Sequence, residues 1–409
     1  QDTAEVHGAP LGKEELRATK AAIGWPDEPA FHLPEVVRNA FLARSAELEN
    51  EYGRWSLGFA NWRKKHPDLA KEWDRLWNRE APANIFDQLR QSLPGMPEAT
   101  RSISSTLMQT VAKLCPSLIG GSADLNSSTK TIIKNSAAID AGHFGGRNFN
   151  FGVREHGMGA IMNGLALYGS WIPYGSTFLV FSDYMRPAIR LAALSHLPVI
   201  FIFTHDTILL GEDGPTHQPV EQLPSLRLIP NHFVIRPADA LECGGAWALA
   251  LQRKHGPTSL ILTRQKIPAI ERDPNFQPAD VLKGAYIVRE AKRGKPELVL
   301  MASGSELHLA IGAQTNLEAN GVPTRVVSVP CVEAFAKQEA SYRDSVLPTD
   351  ARRVVIEAAQ GDLWYRWIGS DGLVIGVNRF GASAPEAVLA EKFGFTISQV
   401  TKTIENWWK

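Results

Sequence analysis

The stretch from 198 to 222, "PVIFIF" (198–203) running into "THDTILLGEDGPTHQPVEQ" (204–222), changes character abruptly between Phe203 and Thr204. The first part is apolar without alternation, the pattern of a strand covered on both faces in a parallel sheet. The second part cannot build a core. It gathers His205, Asp206, Asp213 and His217 around a Pro-Thr-His-Gln-Pro turn. Ligands of parallel α/β sheets bind beyond the carboxyl ends of the strands, and long polar loops there usually carry function rather than structure. This stretch therefore predicts a buried strand that delivers His205 and Asp206 to a binding edge, with a loop built to hold something.

The same rhythm extends on both sides. "SLIGGSADL" (117–125), "NFNFGV" (148–153) and "WIPYGSTFLVF" (171–181) read as strands. "REHGMGAIMNGLALYG" (154–169) and "SDYMRPAIRLAALSH" (182–196) read as helices between them. After the proline-rich break "KIPAIERDPNFQPAD" (266–280), "ELVLMASGSELHLAIGAQTNLEANGV", "TRVVSVP", "RRVVIEAA" and "GLVIGVNRFG" repeat the pattern. Residues 1–93 instead read as loop, then amphipathic helices whose mixed charges mark a solvated face. The expected fold is α/β: two consecutive domains with mostly parallel sheets, at 94–270 and 280–409, preceded by a helical segment over 1–93.

Bulk composition narrows the function classes. The 409 residues carry 43 Lys plus Arg against 43 Asp plus Glu, so no bulk field points to nucleic acid or a membrane surface. Cys115, Cys243 and Cys331 are scattered and form no Cys-x-x-Cys pair, which fits a reduced, cytoplasmic setting rather than a disulfide framework or zinc site. No apolar run reaches the roughly 20 residues of a membrane helix, and the first residues lack the pattern of a signal peptide. The chain starts at Gln1 rather than Met, which leaves processing or truncation open.

Several residues stand out. His205, Asp213 and His217 are candidates for acid–base or hydrogen-bonding work, although single loop histidines are commonly inert. Glu155 falls at a strand-to-helix transition. It reads either as an acid stabilised by the helix dipole or as a buried carboxyl beside a heterocycle. Phe178, Phe181 and Tyr184 have the spacing of core aromatics, or of a stacking platform. Arg101, after a linker, and Arg264, closing "TSLILTRQ", suit phosphate recognition, with Ser128 in the neighbouring "GGSADLNSST" segment. Gly157, Gly159 and Gly164 allow a close neighbour on the helix after Glu155, whether another element or another subunit.

Together "VHGAPLG", "GGSADL", "NFNFGVREHGMGAI", "TFLVFSDYMRPAIRLAAL", "THDTILLGEDGPTHQPVEQL", "RPADALE", "LILTRQ", "ASGSE" and "NRFGASAPEAVLAEKFGFT" closely resemble transketolases, in family order from residue 7 to near the end. The resemblance implies a transferase of the pentose phosphate pathway that moves a two-carbon ketol unit between sugar phosphates. It further implies thiamine diphosphate, magnesium or calcium, and a homodimer. Carried over by position, it makes Glu155 the acid facing the aminopyrimidine, Phe181 the stacking ring, and Phe178 and Tyr184 lining of the same pocket. His217 and His7 become catalytic histidines, and Asp213 the reader of a donor hydroxyl. Arg101, Ser128, His205 and Arg264 become the sugar-phosphate clamp. The resemblance also exposes a departure. No Gly-Asp-Gly…Asn signature for the diphosphate and its metal is recognisable, so the resemblance implies a truncated chain that keeps only the tail of the pyrophosphate-binding domain and a helical connector in 1–93, lacks most of that domain, binds the cofactor weakly alone and turns over negligibly. A deoxyxylulose-phosphate synthase-like enzyme, a 2-oxo acid dehydrogenase β subunit, and a non-catalytic dimerising scaffold are the competing readings.

Overall fold

A computed structural model describes residue 4 and residues 7–409, which divide into two compact units, 1–73 and 74–409. The first unit is helical. Its helices Gly12–Ala22 and Glu35–Lys65 bury none of their residues. Along the longer one, Tyr52, Trp55, Phe59 and Trp62 recur three or four apart, so they stand on one face. Their rings stack successively at centroid separations of 5.8, 5.1 and 5.6 Å.

The second unit contains two sheets. In the first, β1 (Leu118–Ser122), β2 (Asn148–Asn150), β3 (Ile172–Phe178), β4 (Ile200–Thr204), β5 (Phe233–Ile235) and β6 (Thr258–Leu262) lie in the order β2-β1-β3-β4-β6-β5, all parallel. The apolar run at 199–203 is the centre of β4, buried at every position. The second sheet orders β7 (Tyr286–Arg289), β8 (Leu298–Ala302), β9 (Thr324–Ser328), β10 (Arg352–Ile356) and β11 (Leu373–Ile375) as β11-β10-β8-β9-β7. Only β7, at the edge, is antiparallel. The mostly parallel α/β architecture is the one expected. β5 and β7 went unread in the sequence, because three or four residues flanked by proline, glycine and charge give no measurable periodicity.

One apolar cluster runs through both sheets, from Ile103 and Ile202 to Leu300, Val354 and Ile404. The two sheets thus share a core. Of the glycines after Glu155, Gly159 makes the close approach. A Cβ there would lie 2.8 Å from that of Ala188 on the helix Ser182–Leu194, whereas Gly164 faces open space. The near face of that helix is therefore satisfied within the chain.

The seam between the sheets is polar. Arg236, just past β5, is fully buried and bonds Asp206 (Nε–Oδ2 2.9 Å), Glu306, and the carbonyl of Ser303 (3.0 Å). Arg227 forks onto Glu357 at 2.7 and 2.9 Å, and Glu357 also accepts from Ser303 and Trp364. A buried charge is tolerated only when paired and hydrogen-bonded, and here the pairing bridges the two sheets. Burial pushes the Glu357 carboxyl up, but Arg227 and then Arg236 and Ser303 outweigh it and hold it down at about 2. Burial instead dominates at Asp206 and pushes it up.

Candidate active site

Parallel register puts every strand exit of the first sheet on one edge. Ser122 pairs with both Asn150 and Ser176, Phe178 with Thr204, and Thr204 with Leu262. The segments following β2, β1, β3, β4 and β6 carry Glu155, Ser128, Phe181 with Tyr184, His205 through His217, and Arg264 in turn. Arg101 joins them from a different direction. It heads the helix Thr100–Leu114, whose first turn is clamped to the exit of β6. The Thr100 and Thr263 backbone amides donate to each other's side-chain oxygens at 2.9 and 2.7 Å.

That clamp sets two guanidiniums near each other. Burial, then Arg264, lowers the Arg101 pKa, with Asp213 and Glu98 opposing. Arg101 donates from Nη1 to the Ser128 carbonyl at 2.9 Å, and its buried Nε has no partner among the described residues. Ser128 enters through its backbone, while the carried-over role concerned the residue as a clamp member. Two neighbouring guanidiniums with an unused N–H form a site that favours an oxyanion.

His205 completes this side. Its backbone sits at φ +60°, a left-handed conformation that costs a non-glycine residue free energy. Its ring lies on Phe178 with centroids 3.7 Å apart, and Nδ1 is 2.8 Å from Thr204 Oγ1. Burial, then Arg101, Arg264 and His217, pulls its pKa down to about 3. The imidazole is therefore neutral near pH 7, a hydrogen-bonding group beside the arginines rather than a third cation.

The aromatic residues continue the same edge. Phe178 and Phe181 stack at 5.8 Å and 10°, and His217 meets both rings edge-on at 6.1 and 5.6 Å. Tyr184 touches Phe181 at 6.1 Å but is 67% exposed, so it stands at the rim of the ring cluster rather than within it. Glu155 heads the helix Glu155–Tyr168 at 9% exposure. No hydrogen bond or ring contact among the described residues links it to the cluster; it shares the edge. Asp213 is exposed on the loop. His7 is exposed on a turn of the N-terminal unit.

The loop owes its shape to residues the sequence reading passed over. Gly211 and Gly214 take φ of +105° and +79°, which a Cβ would disfavour. The buried Gln218 amide donates to the carbonyls of Ile208, Gly211 and Ala382 at 3.1, 3.0 and 2.9 Å. Ser383 Oγ donates to the Glu212 carbonyl at 2.6 Å. The segment 381–383 of the second α/β half thus staples the loop of the first. The motif "NRFGASAP" was visible, but nothing local showed what it touches. Among the described residues no group of three or more His, Cys, Asp or Glu side chains is placed to hold a metal ion.

Comparison with known proteins yields one description along nearly the whole length. Residues 97–269 match the transketolase pyrimidine binding domain, 284–396 the transketolase-like C-terminal domain, and 1–82 the transketolase thiamine diphosphate binding domain. The chain belongs to the transketolase family. It is 48% identical over its full length to the transketolase of Aquifex aeolicus, of which it covers 59%. It is 44% identical over 98% of its length to that of Bacillus subtilis, covering 61%. Among solved structures, the Pichia stipitis transketolase in complex with sedoheptulose 7-phosphate is 36% identical with a TM-score of 0.89, covering 98% of this chain and 59% of that one. The Leishmania mexicana transketolase gives 38% and 0.89 with the same coverage of 98% and 59%. A split-gene transketolase described as an inactive β4 tetramer is 25% identical at a TM-score of 0.61, over 75% of this chain and 97% of that one. The chain thus spans about three fifths of these longer transketolases. The match at 1–82 falls within the segment expected to hold the tail of the thiamine diphosphate-binding domain, and gives no support to the expected absence of most of that domain.

Proposed function

We propose that the chain serves thiamine diphosphate-dependent transfer of a two-carbon ketol group from a ketose phosphate, such as xylulose 5-phosphate, to an aldose phosphate, such as ribose 5-phosphate. The observation that carries this reading is the shared edge, where a stacked Phe178–Phe181 pair with His217 adjoins Arg101, Arg264 and a neutral His205. The stacked rings fit a planar heterocycle, and the near-buried Glu155 on the same edge fits a hydrogen bond to its ring nitrogen. When bound, the cofactor supplies the carbon nucleophile and the electron sink.

The protein's own groups bind and orient. Arg101 and Arg264 hold the sugar phosphate, with His205 and the Ser128 backbone beside them, so remote binding energy positions the reacting carbon. Asp213 reads a hydroxyl at the loop, and His217, beside the rings, holds or moves a proton at the donor hydroxyl. His7 is the second catalytic histidine of this reading. We infer weak cofactor binding and negligible turnover by these 409 residues alone from the sequence, which carries no recognisable Gly-Asp-Gly…Asn signature for the diphosphate and a magnesium or calcium ion. We further place this chain in a cytoplasmic homodimer, with domain limits near 94–270 and 280–409. Ile161, Leu167, Tyr168, Leu191 and Leu194 leave apolar surface exposed on the helices after Glu155 and Phe181, which supports a second copy there.

The test is xylulose 5-phosphate-dependent transfer to ribose 5-phosphate, with thiamine diphosphate and magnesium supplied. It is run on the chain alone and with the part of the Aquifex aeolicus protein that this chain does not align with. Transfer restored by that part is the expected result. Silence in both arms would favour the dimerising scaffold.

A further inference from the structure

A second cavity, away from the strand-exit edge, opens between the two α/β halves, with a volume of about 320 Å3. Its walls come from the helix Gln222–Arg227, from 332–337 and from 363–367. None of these residues belongs to the site described above. The walls combine two features rarely left together on a protein surface.

The first is a flat aromatic face. The half-buried Trp367 lines the cavity near the guanidinium of Arg366 (5.8 Å to the ring centroid), while Trp364, buried beneath the guanidinium of Arg227 (5.1 Å), backs the wall. The second is uncompensated polarity. The Lys337 and Arg366 side chains are exposed and form no ion pair or hydrogen bond among the described residues; the Lys337 ammonium rests over the Phe233 ring at 4.8 Å. Deeper in, the Arg227 side chain is 5% exposed and tied to Glu357 through its two terminal nitrogens, leaving Nε without a partner. Glu333 is similar. Its Oε2 accepts from the Val234 amide at 3.2 Å and the Cys331 thiol at 3.3 Å, while Oε1 has no partner. Buried polar atoms without partners are few in folded proteins and call for an explanation.

We infer that this cleft is a binding site for a small planar aromatic anion, such as an aryl sulfonate, aryl carboxylate or nucleoside monophosphate. The ring would lie against the Trp367 indole, beside the Arg366 guanidinium. The anionic group would meet Lys337 and Arg366, whose side chains have no ion-pair partner among the described residues. Polar atoms on the ring would engage Arg227 Nε and Glu333 Oε1. The volume lies at the lower end of small-ligand cavities, roughly 300–1,000 Å3, which excludes a dinucleotide or a peptide.

Fluorescence titration with 8-anilinonaphthalene-1-sulfonate tests this on the full chain, without reference to its activity. One saturable site per chain is expected, displaced by adenosine monophosphate. Lys337→Glu with Arg366→Glu should weaken it at least tenfold without moving the urea midpoint, since both side chains are exposed. Trp367→Leu should weaken it similarly. The uncharged analogue N-phenyl-1-naphthylamine should bind equally to parent and double variant. Unchanged sulfonate affinity in the double variant, or saturable binding of the neutral probe as tight as that of the sulfonate, would overturn the assignment.

Discussion

Arginine and carboxylate occur at both the strand-exit edge and the seam between the sheets, yet the two places treat them oppositely. At the seam, Arg236 and Arg227 are enclosed and matched by Asp206, Glu306 and Glu357. At the edge, Arg101 and Arg264 lie together, Arg264 exposed, with Asp213 exposed on a loop. The same residue types build structure where the fold supplies their counter-charges, and build a receptor where it leaves them for something else to supply.

Breaking the seam should have the larger effect on stability. Glu357→Gln leaves Arg227 buried without its counter-ion and is expected to cost about 3–5 kcal/mol in urea denaturation. Removing one charge from the edge should leave stability within about 0.5 kcal/mol and act on binding. Arg264→Ala is expected to raise the KM for a sugar phosphate about ten- to hundredfold in the reconstituted assay, the worth of a charge-assisted hydrogen bond of about 1.5–3 kcal/mol. Equal loss of kcat with KM unchanged would remove Arg264 from the phosphate clamp.

Acid should separate the two regions by pH. His205 at the edge and His232 beneath β5 have folded pKa values near 3, chiefly through burial, against an ordinary 6.5. Below pH 6.5 the unfolded chain takes up protons that the folded chain refuses, so stability falls as pH drops from about 6.5 towards 3. Glu357, held at about 2 against an ordinary 4.5, contributes fully above 4.5 and is lost between 4.5 and 2. Urea midpoints should decline first from pH 6.5, and His205→Asn should remove its share of that first decline, leaving the share of His232 and the later decline in place. The smallest effect is expected at the staple. Ser383→Ala removes one hydrogen bond to the Glu212 carbonyl, worth about 1 kcal/mol, and should loosen the loop to hydrogen exchange without changing the fold.

How far the sequence could be read follows the same division. The central strands and the edge residues were legible because each announces itself locally: an apolar run, then a polar turn. Phe178 and Phe181 lie at the exit of one strand and His205 and His217 beyond the exit of its parallel neighbour, so topology alone brings their rings together. Arg236, Glu306, Glu357 and Gln218 were passed over because their meaning lies in partners many residues away. Arg236 meets Glu306 across 70 positions and Gln218 meets Ala382 across 164. "RPADALE" and "ASGSE" were noticed as motifs, and nothing in either string says that they face each other.

Arg236 has a mechanical corollary. It is rooted beside the last strand of the first sheet's edge, with one carboxylate from its own half and two from the other. Rotating either half about the join would drag a guanidinium through a dry gap away from its counter-ions. Residues 74–409 should accordingly melt as one block, giving a single calorimetric endotherm, and any motion within them must be left to loops rather than to a hinge between the halves.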